Sequence, residues 1–193
     1  PDSLMLNLTA NYSKNRSEII ELAEGVTKYV LGGFDNVSVL AEVGKPYGEI
    51  YGSRFLRVTD VNSPSYGQLI IDAAGLPQVE NAPSVRLGNQ QPLGMLGLTN
   101  NFAYKGFSLG FLIDARIGGE MFSGTLADMQ ASGTSSHTVV GGLRNDILTQ
   151  GVVASGSSYV PNTKAATSQL YWERVAGTGN LGITEANIYD ATN

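Results

Sequence analysis

Hydrophobic and polar residues alternate with a period of two along FSLGFLIDARI, residues 107–117. Phe107, Leu109, Phe111, Ile113, Ala115 and Ile117 project to one side, and Ser108, Gly110, Leu112, Asp114 and Arg116 to the other. One face is therefore apolar and the other mostly polar. A half-buried strand of a water-soluble sandwich has this pattern, and so does a strand of about ten residues crossing a bilayer obliquely around a watery lumen. Residues 4–12 repeat it, with Leu4, Leu6, Leu8, Ala10 and Tyr12 opposite Met5, Asn7, Thr9 and Asn11. Residues 95–104 do so again, with Leu96, Leu98, Phe102 and Tyr104 opposite Gly97, Thr99, Asn101 and Ala103, and with Asn100 interrupting the apolar row. Lys105-Gly106 joins this segment to the next, a two-residue link of the kind that closes a tight antiparallel hairpin because glycine accepts positive φ.

The rest of the chain is less regular. Ile19, Ile20, Leu22, Ala23 and Val26 fall at helical spacing, so residues 17–30 are expected to form a short helix or a frayed strand end. Gly, Pro, Asn and Ser break up residues 31–92, with brief β-prone pieces at 37–43, 49–58 and 68–71, which predicts a large, mostly irregular insertion with small hairpins. A short helix is expected over 123–130, opened by Thr125 with Asp128 three residues on as in a capping box. Another is expected over 166–176, followed by a strand over 183–189. The predicted class is all-β, antiparallel strands with a few short helices and long loops, and the 24 glycines and 15% charged residues agree with it. No repeat of solenoid period is present.

Charge and residue usage then narrow the chemistry. A net charge of −5, with 12 Lys and Arg spread thinly, argues against a nucleic-acid partner. The absence of Cys and the single His137 exclude thiolate and His-rich metal sites, so no metal or cofactor is expected. His137 lies in a Ser/Thr-rich loop without a nucleophile or carboxylate in a catalytic frame, so no catalytic residue is assigned and the chain reads as a non-enzyme. GTGNLG at 177–182 matches the dinucleotide fingerprint GxGxxG, but no hydrophobic strand precedes it and no helix or ribose-binding acid follows, so a glycine-rich turn is the better reading. Asn7, Asn11, Asn15 and Asn36 satisfy the glycosylation sequon; the first three recur every four residues, which puts them on one polar strand face. Candidate ligand contacts are Asp114 and Arg116, two apart on a polar face, and the aromatics Tyr159, Tyr171 and Trp172, whose flat rings stack on sugars or peptide side chains when they are not packed internally.

No run approaches the ~20 apolar residues of a membrane helix, so any membrane role falls to strands. At residues 43–52, VGKPYGEIYG, the chain resembles the SusC/RagA family of TonB-linked outer-membrane proteins, with which Bacteroidetes import glycans and peptides. Matching elements follow in the same order: DAAGLP at 72–77, Gly88-Asn89 with Pro92, YKGF at 104–107, LIDARIG at 112–118 and EANIYD at 185–190. The resemblance covers nearly the whole chain, except for a variable external loop at about 139–165. It implies that residues 1–193 are a fragment from the later part of a TonB-dependent barrel in the cell outer membrane, with the insertion at about 31–92 and the hairpin at about 95–117. It further implies contact with membrane lipid and a glycan or peptide ligand and, through the parent protein, with a SusD-like surface lipoprotein and the TonB complex. The rival is a self-contained secreted β-rich module that binds carbohydrate or protein through Trp172 and Tyr159. The two differ in solvent: the rival packs Phe107, Phe111 and Ile113 into a core, whereas the barrel turns them to lipid.

Overall fold

The computed structural model describes residues 3–34, 36–80, 85–177 and 182–192. Three long strands carry the alternating segments: β1 (Met5–Ser13), β6 (Gly94–Tyr104) and β7 (Phe107–Ile117). They form one antiparallel sheet in the order β1-β6-β7, paired without a register break from Met5↔Ala103 to Ser13↔Met95 and from Gly94↔Ile117 to Tyr104↔Phe107. Lys105 and Gly106 make the predicted turn with φ of 45° and 85°, the left-handed pair that matches the twist of a two-residue hairpin. Side chains directly opposite in an antiparallel pair share a face, so this register gathers the three apolar rows on one side and the three polar rows on the other.

Residues 14–93 leave the outer end of β1 and return to β6 beside it. This excursion contains β2 (Lys28–Phe34), β3 (Val37–Glu42), β4 (Glu49–Gly52) and β5 (Val85–Asn89), an antiparallel sheet in that order. Residues 118–192 form a second excursion, with β8 (Glu120–Phe122), α1 (Gly124–Ala131), β9 (Val152–Ser155), β10 (Ser158–Pro161), α2 (Ser168–Ala176) and β11 (Ile188–Asp190). β11 pairs with β8, and Ala191 N donates to Gly119 O at 2.7 Å, which brings the chain back to the outer end of β7.

The two excursions fold against each other into one lobe. Ile70 bridges Val152 in parallel, and Ser53 N and Thr184 N donate to each other's side-chain oxygens at 3.1 and 3.0 Å. Glu185 accepts from Phe55 N at 2.9 Å and from both terminal nitrogens of Arg57 at 3.0 and 2.7 Å. At Gly52 an added Cβ would lie 2.5 Å from Thr184 Oγ1, so only glycine lets the excursions approach this closely. Among the described residues the buried apolar side chains belong to the lobe: Val37, Ala41, Ile50, Tyr51, Val58, Ile71 and Leu76 from the first excursion, and Ala127, Val152, Ala166, Val175, Ala176 and Ile183 from the second. None comes from β1, β6 or β7.

Several local expectations need correction. Residues 17–30 form no helix, because Ile19 N and O bond to Lys45 O and Gly44 N at 3.0 and 2.8 Å, holding that backbone in tertiary pairing until β2 begins. β5 and the full length of β2 were not apparent from the pattern. The α1 cap is Ser123, whose Oγ accepts from Leu126 N at 3.3 Å, and Thr125 lies inside the helix. Over 183–189 a 3₁₀ turn at Thr184–Asn187 replaces most of the strand, since Thr184 N and Glu185 N both donate to Ser53, which diverts that backbone from a ladder. Of GTGNLG, residues 178–181 lie outside the described residues; Gly177 directly follows α2, so no strand leads into the motif. Among the described residues no helix is long and apolar enough to cross a membrane.

Candidate functional site

Two surfaces carry the candidate residues: the polar face of the three-stranded wall and a cleft in the lobe. On the wall, Asn7, Asn101 and Gly110 form one row across the strands, and Asn11, Gly97 and Asp114 another. The glycines make room for the amides, since an added Cβ at Gly110 or Gly97 would lie 2.7 Å from the side-chain oxygen of Asn101 or Asn11. Asn7 and Asn11 share this face as their spacing predicts, while Asn15 lies beyond the end of β1. Asp114 is exposed here. Arg116, one row outward beside Met95 and Ser13, donates from Nη2 to Gln90 O at 2.5 Å and so ties β7 to the lobe.

The opposite face is apolar from edge to edge. Leu6, Leu8, Ala10 and Tyr12 lie beside Phe102, Asn100, Leu98 and Leu96, which lie beside Leu109, Phe111, Ile113 and Ala115. Phe102 and Phe111 stack with ring centroids 6.0 Å apart. Asn100, the lone polar residue in the central row, is buried among these side chains. The face itself is open: Phe107 is 84% exposed, Leu109 61%, Phe111 41% and Ile113 50%. Tyrosines mark both ends of the sheet, Tyr12 next to Gly94 and Tyr104 at the tight turn, where Lys105 Nζ sits 5.3 Å from its ring centroid.

The lobe cleft, about 400 Å³, lies between the end of α1 and the start of α2. Thr167 caps α2 by accepting from Leu170 N at 3.4 Å, and one helical turn on Trp172 enters the cleft wall. Tyr171 packs edge-on against Trp172 with centroids 5.2 Å apart, and burial raises its hydroxyl above the ordinary tyrosine pKa. Tyr159 sits half-buried on the β9–β10 hairpin and takes no part in this cleft. Thus Tyr171 and Trp172 come together, while Asp114, Arg116 and Tyr159 stand apart from them. His137, in the 3₁₀ turn Ser136–Thr138, places Nδ1 3.3 Å from Gln130 Nε2.

Sequence reasoning missed Gln130 and Arg144. Gln130 lies three residues after buried Ala127 on α1, so an amide at a core-facing position was the available signal. Arg144 gave none, because it reaches the cleft by lying across Gly133, to whose carbonyl it donates at 2.7 Å. No group of three or more metal-ligating side chains occurs among the described residues.

No family model matches the chain. Over 143 residues, 65% of its length, it is 24% identical to "TonB-dependent receptor P3" of Formosa agariphila. The chain spans 14% of that receptor's length. At this distance, and over this part, the chain is a partial relative of a TonB-dependent receptor.

Proposed function

We propose that this chain is a non-enzymatic segment of a TonB-dependent outer-membrane importer of SusC/RagA type, supplying barrel wall and extracellular loops for uptake of glycans or peptides. One observation carries the reading: the sheet leaves an apolar face, broken only by Asn100, exposed, while among the described residues the buried apolar side chains lie in the lobe. A water-soluble module would enclose that face, so the exposure of Phe107, Phe111 and Ile113 counts against the secreted rival. With a rise of ~3.3 Å per residue and a tilt of ~45°, an eleven-residue strand advances ~26 Å along the membrane normal, close to the ~25 Å apolar band of outer-membrane barrels.

The tight Lys105-Gly106 turn then belongs on the periplasmic side and the lobe on the outside, where loops are long. There the lobe is positioned to meet a SusD-like lipoprotein and the arriving ligand. β1 and β7 are open edges of the sheet, and unpaired backbone in hydrocarbon costs several kcal/mol per group, so further strands must flank both in the working barrel. Energy from the TonB complex acts elsewhere in the parent, which leaves this segment a passive role in transport.

Spin labels at successive β7 positions of the full-length protein in bilayers test the assignment. Labels at 109, 111 and 113 are expected to collide with oxygen dissolved in lipid, and labels at 108, 110 and 112 with a water-soluble nickel chelate. Absence of that alternation would refute the proposal.

A further inference from the structure

We infer that the concavity where the outer end of the wall meets the lobe holds the anionic phosphate of a membrane-lipid headgroup, gripped by Lys14 and Arg16 with Arg86 beside them. The inference rests on the importer reading, which sets the outer end of β1 at the surface of the bilayer, and it adds a headgroup site to the acyl contact of the apolar face.

The first argument is charge. The concavity, about 420 Å³, is lined by three cations and no carboxylate, in a chain whose net charge is −5. Arg86 donates from Nε to Glu49, whose side chain is only 3% exposed, so that pair neutralises itself and holds the guanidinium in place. Lys14 and Arg16 are exposed and make no ion pair among the described residues. Two positive charges are therefore left for an anion, and a phosphate has oxygens enough to accept from both.

The second argument is the frame that holds these cations together. Just past β1, Ser17 Oγ donates to Gln91 Oε1 at 2.8 Å and accepts from Tyr47 N at 3.2 Å. Gln91 N donates to Asn89 Oδ1 at 2.7 Å, and Asn89 Nδ2 to Tyr47 O at 3.1 Å. Ser17, Asn89 and Gln91 line the concavity, so these bonds set the backbone that carries Lys14 and Arg16 against the strand that carries Arg86. A backbone fixed in advance lowers the ordering cost of closing long side chains on one ligand.

The third argument is height, which selects a lipid over a soluble anion. Along the even-numbered row of β1 come Leu8, Ala10 and the exposed Tyr12 beside Gly94, and the next even positions are Lys14 and Arg16. Apolar, aromatic, cationic is the order in which a bilayer changes from hydrocarbon to headgroup. The exposed Leu93, with Pro46 and Pro92, gives the same concavity an apolar side, which suits the first methylenes of a lipid and offers nothing to a free anion.

Native mass spectrometry of the detergent-purified full-length protein provides the test. The probes are dioleoyl phosphatidate, dioleoyl phosphatidylcholine, which carries the same chains and a neutralised phosphate, and inorganic phosphate. Phosphatidate is expected to be retained in preference to phosphatidylcholine, and Lys14→Gln and Arg16→Gln should each lower that preference about fivefold. Lys164→Gln, which removes a cation that donates to Ala73 O within the lobe, should leave it unchanged. The heat-dependent gel shift of folded barrels confirms that each variant is assembled. Equal retention of the two lipids, a preference untouched by both substitutions or lowered as much by Lys164→Gln, or displacement of phosphatidate by an equal concentration of inorganic phosphate overturns the inference. Any of these with the spin-label alternation on β7 intact sinks the headgroup site alone, whereas lost alternation removes the importer reading and the headgroup site with it.

Discussion

Arginine scanning of β7 turns the two-faced sheet into a measurable asymmetry. On the apolar face, Phe111 stands four residues from Phe107 at the turn, ~9 Å deeper along the membrane normal for a rise of ~3.3 Å and a tilt of ~45°. That puts Phe111 near the bilayer midplane, where an outward-facing Arg costs about 2–4 kcal/mol, and Phe107 near an interface, where it costs about 0–1 kcal/mol. Leu112, at the same depth as Phe111, faces the polar side with Thr9 and Thr99 in its row. Phe111→Arg should therefore lower the folded-to-unfolded ratio by a factor of roughly 30 to 700, at about 1.4 kcal/mol per tenfold. Phe107→Arg and Leu112→Arg should each change it less than about tenfold. Urea titration of the full-length variants in bilayers, read by the heat-dependent gel shift of folded barrels, measures the three in parallel. Equal losses at 111 and 112, or a larger loss at 107 than at 111, would refute the assignment of faces to solvents.

Three further outcomes concern the lobe. Ser123→Ala should destabilise α1 by about 1 kcal/mol through loss of the cap to Leu126 N, while Thr125→Ala should have little effect, read by exchange of the α1 amides. Gly52→Ala drives a Cβ to 2.5 Å from Thr184 Oγ1 and should loosen the clamp between the excursions by about 1–3 kcal/mol, seen as faster protease cleavage on either side of it. Tyr51 donates to Glu42 at 2.8 Å and lies 3.0 Å from buried Glu49; burial and these carboxylates raise the Tyr51 pKa, while the Tyr51 hydroxyl, followed by Lys28, holds Glu42 below the usual carboxylate range. A lowered carboxylate stabilises fully above the unfolded pKa of ~4.3 and loses that stabilisation as pH falls through the folded value. The protection that Tyr51→Phe removes from residues 37–52 should thus be largest at neutral pH and shrink below about pH 4, and a difference that grew on acidification would contradict the hydrogen bond.

The wall was legible in the sequence and the lobe largely was not, for a physical reason. β7 spans the residues read from alternation, β6 begins one residue earlier than read, and the turn is set by Lys105-Gly106, because both faces of an alternating strand are set by local period. In the lobe, long-range partners decide. Ile19 looks helical by spacing yet pairs with the 44–45 turn, and Thr184 looks extended yet turns to meet Ser53. β4 has Glu49, Ile50, Tyr51 and Gly52 all buried, so its period carries no sign of a face. Among the site residues, the Tyr171–Trp172 pair followed from aromatic chemistry alone. Gln130 required knowledge of which side of α1 is packed, and Arg144 required the fold.

Wall and lobe meet through polar bonds, without a shared apolar core. Leu93 N donates to Ile117 O at 2.8 Å, and Arg116 to Gln90 O. Among the described residues the wall's apolar face is left open, and the apolar surface that stabilises the lobe is covered by the lobe. Their stabilities should respond to different solvents. Moving the full-length protein from a long-chain to a short-chain detergent should speed amide exchange along β1, β6 and β7, while Ile50, Ile71 and Val152 in the lobe keep their protection. Equal loss of protection in wall and lobe would mean that the two parts open as one cooperative unit.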